Sequence, residues 1–393
     1  MVLNSTIEDN FIKLYISGVT NLKIDFTLND DEINQIINLA KFHSLETVIY
    51  QAFKINDIKI PAKLEKEYQF LLFKMFTQDA ELESISNAFT NHKIYHLPLK
   101  GSVLRKYYPN PILRIMADLD ILFHEEDLKQ AGMIVKELGY EVEHLGGNHD
   151  VYFKKPYMNI ELHRALISSS YELLYNYYLD IWNRLDTSNY LVKMNKEDFL
   201  IYLILHAGKH FATSGAGLRF LMDLHFFFLK EKDIDMRYVM DELKKTNFDT
   251  FAEIVITISK KLFDDLYHDD FNLNDDERYV LSYLISSGTY GTYDNSAAIG
   301  VSKENNENIK SNKIKYFFKR VFPSYKTMVS IYPKLKRRKL LLPIYYLMRI
   351  CRVIFKSKSY KQQLNSINNV QEEDLERIKR IKEITKVRSI SDE

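Results

Sequence analysis

Residues 97–123 read LPLKGSVLRKYYPNPILRIMADLDILF, and residues 159–163 read NIELH. Ile94 to Leu99 is a short apolar run that predicts a strand, cut off at Lys100-Gly101-Ser102. The pattern then predicts a short helix over 102–108, ended by Pro109 and Pro111, because proline lacks the N–H a helix interior needs. Asp118 to Phe123 predicts a second strand, and Glu125 to Leu138 an amphipathic helix closed by Gly139. Three further short strands are expected at 140–145, 150–154 and 157–163.

Alternation along a strand puts residues i and i+2 on one face, so Asp118 and Asp120 project together. Adjacent carboxylates raise each other's pKa unless a cation lies between them. Mg²⁺ suits such a pair, since it binds through one or two carboxylates plus substrate phosphates. Glu161 adds a third carboxylate on a later apolar strand, able to serve a second metal or an acceptor hydroxyl. Gly101 and Ser102 sit at a strand-to-helix turn, where backbone amides and a hydroxyl can meet phosphate oxygens. Lys100 and Arg114 are cations for the same phosphates. An Asp-x-Asp alone is a common pattern; the ordered trio of Gly-Ser, Asp-x-Asp and Glu is far more specific.

The flanks bound the class of protein. Twelve Gly and eight Pro in 393 residues are few, which argues against collagen-like and turn-dense all-β chains and for a helix-rich one. A hydrophobic share of 46% and a charged share of 27% exclude wholesale disorder. The single cysteine, Cys351, excludes an intrachain disulfide framework and fits a reducing compartment. No secretory signal pattern and no apolar run of roughly 18 residues is visible, so a cytoplasmic protein is expected. Helices are expected before residue 90 and again after 165. One begins near Asp30-Asp31 and another behind Pro61. The Gly/Ser/Asn-rich stretch 287–312 reads as a loop or linker. Four regions follow: a helical 1–90, an α+β core at 91–166, a helical domain at 167–290, and a linker plus basic helical region at 291–393.

The formal charge of +1 conceals segregation. Residues 308–371 contain 16 Lys and Arg and no acidic residue, while the remaining 38 basic residues face 53 acidic ones, a net of −15. Such asymmetry marks contact with an anionic surface or a basic face that packs on the acidic body. Peripheral contact with the inner face of a membrane through 308–371 is one expectation. Nucleic acid is not indicated, because no base-reading motif is visible. Leu340 to Phe355 is too short to span a bilayer; burial in a helical domain is the favoured reading, and a membrane interface the other.

With its order of motifs, the block 97–140 followed by Asn159–His163 resembles the nucleotidyltransferase superfamily, which shares the DNA polymerase β-like core. It resembles most the bacterial uncharacterised nucleotidyltransferase proteins. The likeness extends to His206-Ala-Gly-Lys209-His210 and Arg219…Asp223, and covers about residues 90–230. It implies an α+β fold, a small mixed-sheet core embedded in a mostly helical chain. It also implies transfer of a nucleoside monophosphate from a triphosphate to a hydroxyl acceptor, with Mg²⁺ or Mn²⁺ held by Asp118, Asp120 and Glu161. Lys100, Gly101, Ser102, Arg114 and Lys209 would then hold the nucleotide. Ala117 stands where the wider superfamily often has Ser. The acceptor is not named by any motif.

Other readings share these residues. A nucleotide-sugar-dependent glycosyltransferase also uses Asp-x-Asp, but that explains neither Gly101-Ser102 nor Glu161. A non-catalytic adaptor of the same fold would use the basic C-terminal region to dock on a membrane or other anionic surface. His206 and His210 share a helix face, yet position 207 is Ala, so the zinc-protease pattern is absent. Arg219 and Asp223 are spaced for an i,i+4 ion pair. His149 and His163 share the neighbourhood of Glu161, as substrate contacts or as structural residues. Cys351 is expected to be an ordinary packed thiol.

Overall fold

The computed structural model describes residues 5–264, 272–304, 308–355 and 358–387. Five strands form among them: β1 (Leu97–Pro98), β2 (Leu119–Leu122), β3 (Glu141–His144), β4 (His149–Lys154) and β5 (Met158–His163). They build one mixed sheet in the order β1-β2-β5-β4-β3, in which only the β2–β5 pairing is parallel. The protein is an α+β chain with this small sheet set among helices. The parallel pairing needs a crossover. Helix Leu128–Glu137, with β3 and β4 behind it, supplies the connection from β2 to β5.

The sheet has two different faces because its strands alternate. Leu119, Ile121, Ile160, Leu162 and Tyr152 point to the back. There they pack with Ile134 and Val135 of helix Leu128–Glu137 and with Ile85 and Phe89 of the long helix Ala62–Asn91. Gly132 allows the close approach of Tyr152, whose hydroxyl would lie 2.2 Å from an added Cβ. The front carries the polar residues and faces the second, larger core. That core joins helices Ser5–Thr20, Asp30–His43 and Glu46–Ile55 to Lys196–Phe211, Arg219–Lys230, Asp249–Phe263 and the C-terminal Glu372–Thr385.

Local chemistry sets the helix starts. Asn29 caps Asp30–His43, accepting from the amides of Asp31 and Glu32, while Glu32 bonds back to Asn29. The cap is thus one residue earlier than the Asp30-Asp31 pair suggests. The expected helix at 102–108 is shorter, an α-turn over Gly101–Leu104 followed by a 3₁₀ turn over Arg105–Tyr107.

Two expectations fail in the C-terminal region. The stretch read as a linker holds a helix, Tyr293–Ser302, with Asn295, Ala297, Ala298 and Val301 buried; positions 305–307 lie outside the described residues. Its small residues are packing surface: an added Cβ on Gly300 would sit 2.1 Å from the Tyr316 ring. Helix Leu342–Phe355, expected to be buried, exposes Ile344, Leu347 and Met348. Cys351 lies on the same exposed face and is not a packed thiol.

Candidate active site

Asp120 occupies β2 beside Glu161 of β5, its register partner, and Asp118 lies two residues earlier on the same face. His163 follows Glu161 by two and shares that face. His149 of β4 is the register partner of His163. The parallel pairing therefore collects three carboxylates and two imidazoles on the front of three adjacent strands.

The contacts form a chain. Lys100 Nζ donates to Asp120 Oδ1 at 2.7 Å, and His163 Nε2 lies 2.8 Å from the same oxygen. His163 Nε2 is also 3.2 Å from Glu161 Oε2, and His149 Nε2 is 3.5 Å from it. Asp120 and His163 are almost fully buried, while Glu161 is partly open. Burial opposes ionisation of Asp120, but Lys100 and His163 together outweigh it and hold its carboxyl well below the usual range. Burial also opposes Glu161, whose hydrogen bond from His163 keeps it low. Burial lowers and the two carboxylates raise His163, with a net upward shift. Asp118 has no such donor among the described residues. Burial, and then the neighbouring Asp120, push it up to about 6.

Lys100 is held by unusual backbone. Its φ of 47° and ψ of −118° lie in a left-handed region that costs a lysine about 1–3 kcal/mol. The turn is tied down on both sides: Leu99 N bonds Asp120 O at 2.9 Å, and Leu104 N bonds Lys100 O at 2.8 Å. Gly101 follows because an added Cβ would meet Met116 Sδ at 2.5 Å. Ser102 is buried and its Oγ has no hydrogen-bond partner among the described residues. A buried hydroxyl left unpaired is uncommon, and such an atom fits a ligand oxygen.

Helix Lys196–Phe211 lies over this face, bringing Tyr202, His206 and Lys209 toward the strands at i, i+4 and i+7. Burial, then Lys100, pull Lys209 down to about 8, with Asp120 and Glu161 opposing. Burial, then Lys209, hold His206 neutral. The His206 and His210 rings pack edge to face at 4.8 Å and make no metal cluster among the described residues. Lys74 of helix Ala62–Asn91 faces Asp118; burial lowers its ammonium and Asp118 opposes that.

The structure thus brings together Lys100, Asp118, Asp120, Glu161 and Lys209, with Gly101 and Ser102 in the turn beside them. Arg114 is different. It is buried and bidentate on Asp223, Nε to Oδ1 at 2.6 Å and Nη2 to Oδ2 at 3.1 Å. Its guanidinium is committed to a carboxylate, so the expected phosphate role does not match its contacts. For the same reason Asp223 pairs with Arg114 rather than with Arg219, which instead donates to Ile115 O at 3.4 Å. Tyr202 and Lys74 carried no sequence signal, because only tertiary packing brings their helices to the strands. His163 and His149 were legible as neighbours of Glu161, but not as bridges.

Three donor carboxylates supply hard oxygen ligands, and Asp118 in particular lacks a compensating cation at hydrogen-bond distance among the described residues. That donor set fits Mg²⁺ or Mn²⁺. His149, Glu161 and His163 also place one ligand atom each within 4.8 Å of one another.

A small mixed sheet that presents this carboxylate trio beside a Lys-Gly-Ser turn defines a nucleotidyltransferase-like α+β protein. The chain belongs to the family described as uncharacterised nucleotidyltransferase, which matches residues 29–264. That span includes every residue of the site and ends before the basic segment. No curated protein and no solved structure matches the chain.

Proposed function

We propose that the protein is a metal-dependent nucleotidyltransferase that moves a nucleoside monophosphate from a nucleoside triphosphate to a hydroxyl acceptor. The new bond joins the acceptor oxygen to the α-phosphorus. The bond from that phosphorus to the β-phosphate oxygen breaks, pyrophosphate leaves, and the hydroxyl proton passes to solvent. Asp118, Asp120 and Glu161 would hold Mg²⁺ or Mn²⁺, which when bound neutralises charge on the reacting phosphate oxygens. Ser102 Oγ and the Lys100 and Lys209 ammonium groups bind and orient the triphosphate. Gly101 keeps the turn close to Met116 and so fixes where Ser102 points. Glu161, held ionised by His163, accepts a hydrogen bond from the acceptor hydroxyl and aims it.

The observation that carries this reading is the crowding of three carboxylates on one sheet face, with no cation among the described residues within hydrogen-bond distance of Asp118. A thermal-shift screen of the four triphosphates with Mg²⁺ and Mn²⁺ tests it. One or more triphosphates should raise the melting temperature only with the metal, and only in the intact protein. The same rise in an Asp118→Asn/Asp120→Asn variant would sink the assignment.

A further inference from the structure

The basic segment presents an apolar face that the other described residues leave uncovered. Helix Leu342–Phe355 is amphipathic, but its apolar side points outward: Ile344, Leu347, Met348 and Cys351 recur at i, i+3, i+4 and i+7, all exposed. Leu340, just before it, is 94% exposed. Helix Ile309–Val321 adds Phe318, which stacks on Phe322; Phe322 packs on Tyr346 of the second helix, so the two apolar sides meet. Scattered apolar residues at a surface are ordinary, but a contiguous face of this kind marks an interaction site.

The charges around it say what it meets. Some cations already meet polar partners in the chain: Lys319 pairs with Glu304 at 2.8 Å, and Arg320 donates to Gln363 Oε1 within the segment at 2.8 Å. Lys336, Arg337, Arg338 and Lys339 differ. They are exposed, lead directly into Leu340, and have no carboxylate partner among the described residues. A partner must therefore offer anions at the rim and apolar material in the middle. The headgroup–acyl boundary of an anionic bilayer offers both. Nucleic acid matches the cations but not the exposed leucine, isoleucine and methionine side chains. No helix among the described residues is long and apolar enough to cross a membrane, which leaves the helix lying in the interface.

We infer that residues 336–351 form an interfacial anchor: Leu340, Ile344, Leu347 and Met348 enter the acyl boundary of an anionic membrane while Lys336–Lys339 contact its headgroups. This anchor lies outside the nucleotide site, so it stands or falls independently of the proposed activity.

The test uses the full chain and vesicle flotation. The protein should float with equimolar phosphatidylcholine and phosphatidylglycerol, and not with phosphatidylcholine alone. Each cation near such a surface is worth roughly fivefold in affinity. K336Q/R337Q/R338Q/K339Q should therefore bind on the order of a hundredfold or more weakly, and raised salt should act likewise. Cys351, the single cysteine, takes an environment-sensitive fluorophore, whose emission should shift to the blue on the anionic vesicles. L340Q/I344Q/L347Q, all at exposed positions, should abolish that shift while leaving the melting temperature unchanged. Absence of flotation, or equal flotation with both lipids, overturns the inference. So does flotation without a fluorophore shift, which would mean surface adhesion alone. A dimer in light scattering that L340Q/I344Q/L347Q dissolves, without vesicle binding, would assign the face to a second copy instead. Tighter binding to a mixed-sequence RNA, lost in the charge variant, would overturn it in favour of nucleic acid.

Discussion

His163 and Asp120 are joined across the two parallel strands, His163 Nε2 to Asp120 Oδ1 at 2.8 Å, while the same nitrogen is 3.2 Å from Glu161 Oε2. One imidazole thus holds two of the three carboxylates at fixed separation, and neither oxygen of Asp118 shares in it. His163 acts here as a positioning residue. Replacing it with alanine should leave Asp120 and Glu161 repelling each other, with Asp120 held by Lys100 alone and Glu161 free to turn. The Mg²⁺ concentration at the midpoint of the nucleotide-dependent thermal shift should rise about 10-fold or more. His163→Gln, which keeps a donor near the Nε2 position, should recover part of the loss. A midpoint unchanged in His163→Ala would show that the histidine merely fills space.

This arrangement shows how far the residue order reached. The strand at 118–123 and the NIELH strand were legible because apolar residues alternate with the carboxylates, and β2 and β5 form there. Parallel pairing in register then follows from burial of Leu119, Ile121, Ile160 and Leu162 on one side. Long-range partners were not legible. Arg114 and Asp223 are 109 positions apart, and an arginine near a Gly-Ser turn has the same local pattern whether it meets phosphate or carboxylate. Residues 293–302 looked like a linker because small residues resemble turn composition, yet smallness is what lets Tyr316 close on Gly300. Helix Leu342–Phe355 misled in the opposite direction: an apolar periodicity shows that one face avoids water, not that this chain covers it.

The Arg114–Asp223 pair makes a stability prediction that its expected phosphate role does not. Both side chains are buried, and Tyr108 Oη also donates to Asp223 Oδ1 at 2.5 Å. Arg114→Leu strands a buried carboxylate and should cost about 3–5 kcal/mol in urea unfolding. Asp223→Asn leaves the buried Arg114 guanidinium without its counter-charge and should cost a similar amount. A phosphate-binding arginine would behave otherwise, losing triphosphate affinity with little change in the urea midpoint.

Gly208 offers a test of the helix over the site. An added Cβ there would lie 2.4 Å from Phe248 Cε1, a ring that is itself buried and cannot swing aside. Gly208→Ala should therefore cost about 1–3 kcal/mol through overpacking, despite alanine's better helix propensity. Because Lys209 is the next residue, the displaced helix should also weaken the triphosphate-dependent thermal shift. Stability measured by urea and ligand response measured by melting should fall together; a stabilised variant would contradict the packing described.

The pH dependence of stability should carry the mark of His43. Its ring is fully buried between helices, with Nε2 donating to Ile285 O at 2.9 Å and Nδ1 accepting from Leu218 N at 3.5 Å. The second contact requires an unprotonated Nδ1, and so the neutral ring. Burial pulls its pKa down from 6.5 to about 4, with the Ile285 carbonyl opposing. The unfolded chain therefore takes up a proton at higher pH than the folded one. The stabilisation from the neutral ring is fully present above pH 6.5 and is lost as the pH falls through 4. At about 1.4 kcal/mol per pH unit, His43 alone removes about 3 kcal/mol over that window. Urea midpoints at pH 7.5 and 4.5 for the intact protein and for His43→Gln isolate this share from the carboxylates. The variant should be less stable at pH 7.5 and show a drop smaller by about that amount on acidification. Equal drops in the two proteins would place the acid sensitivity in other groups.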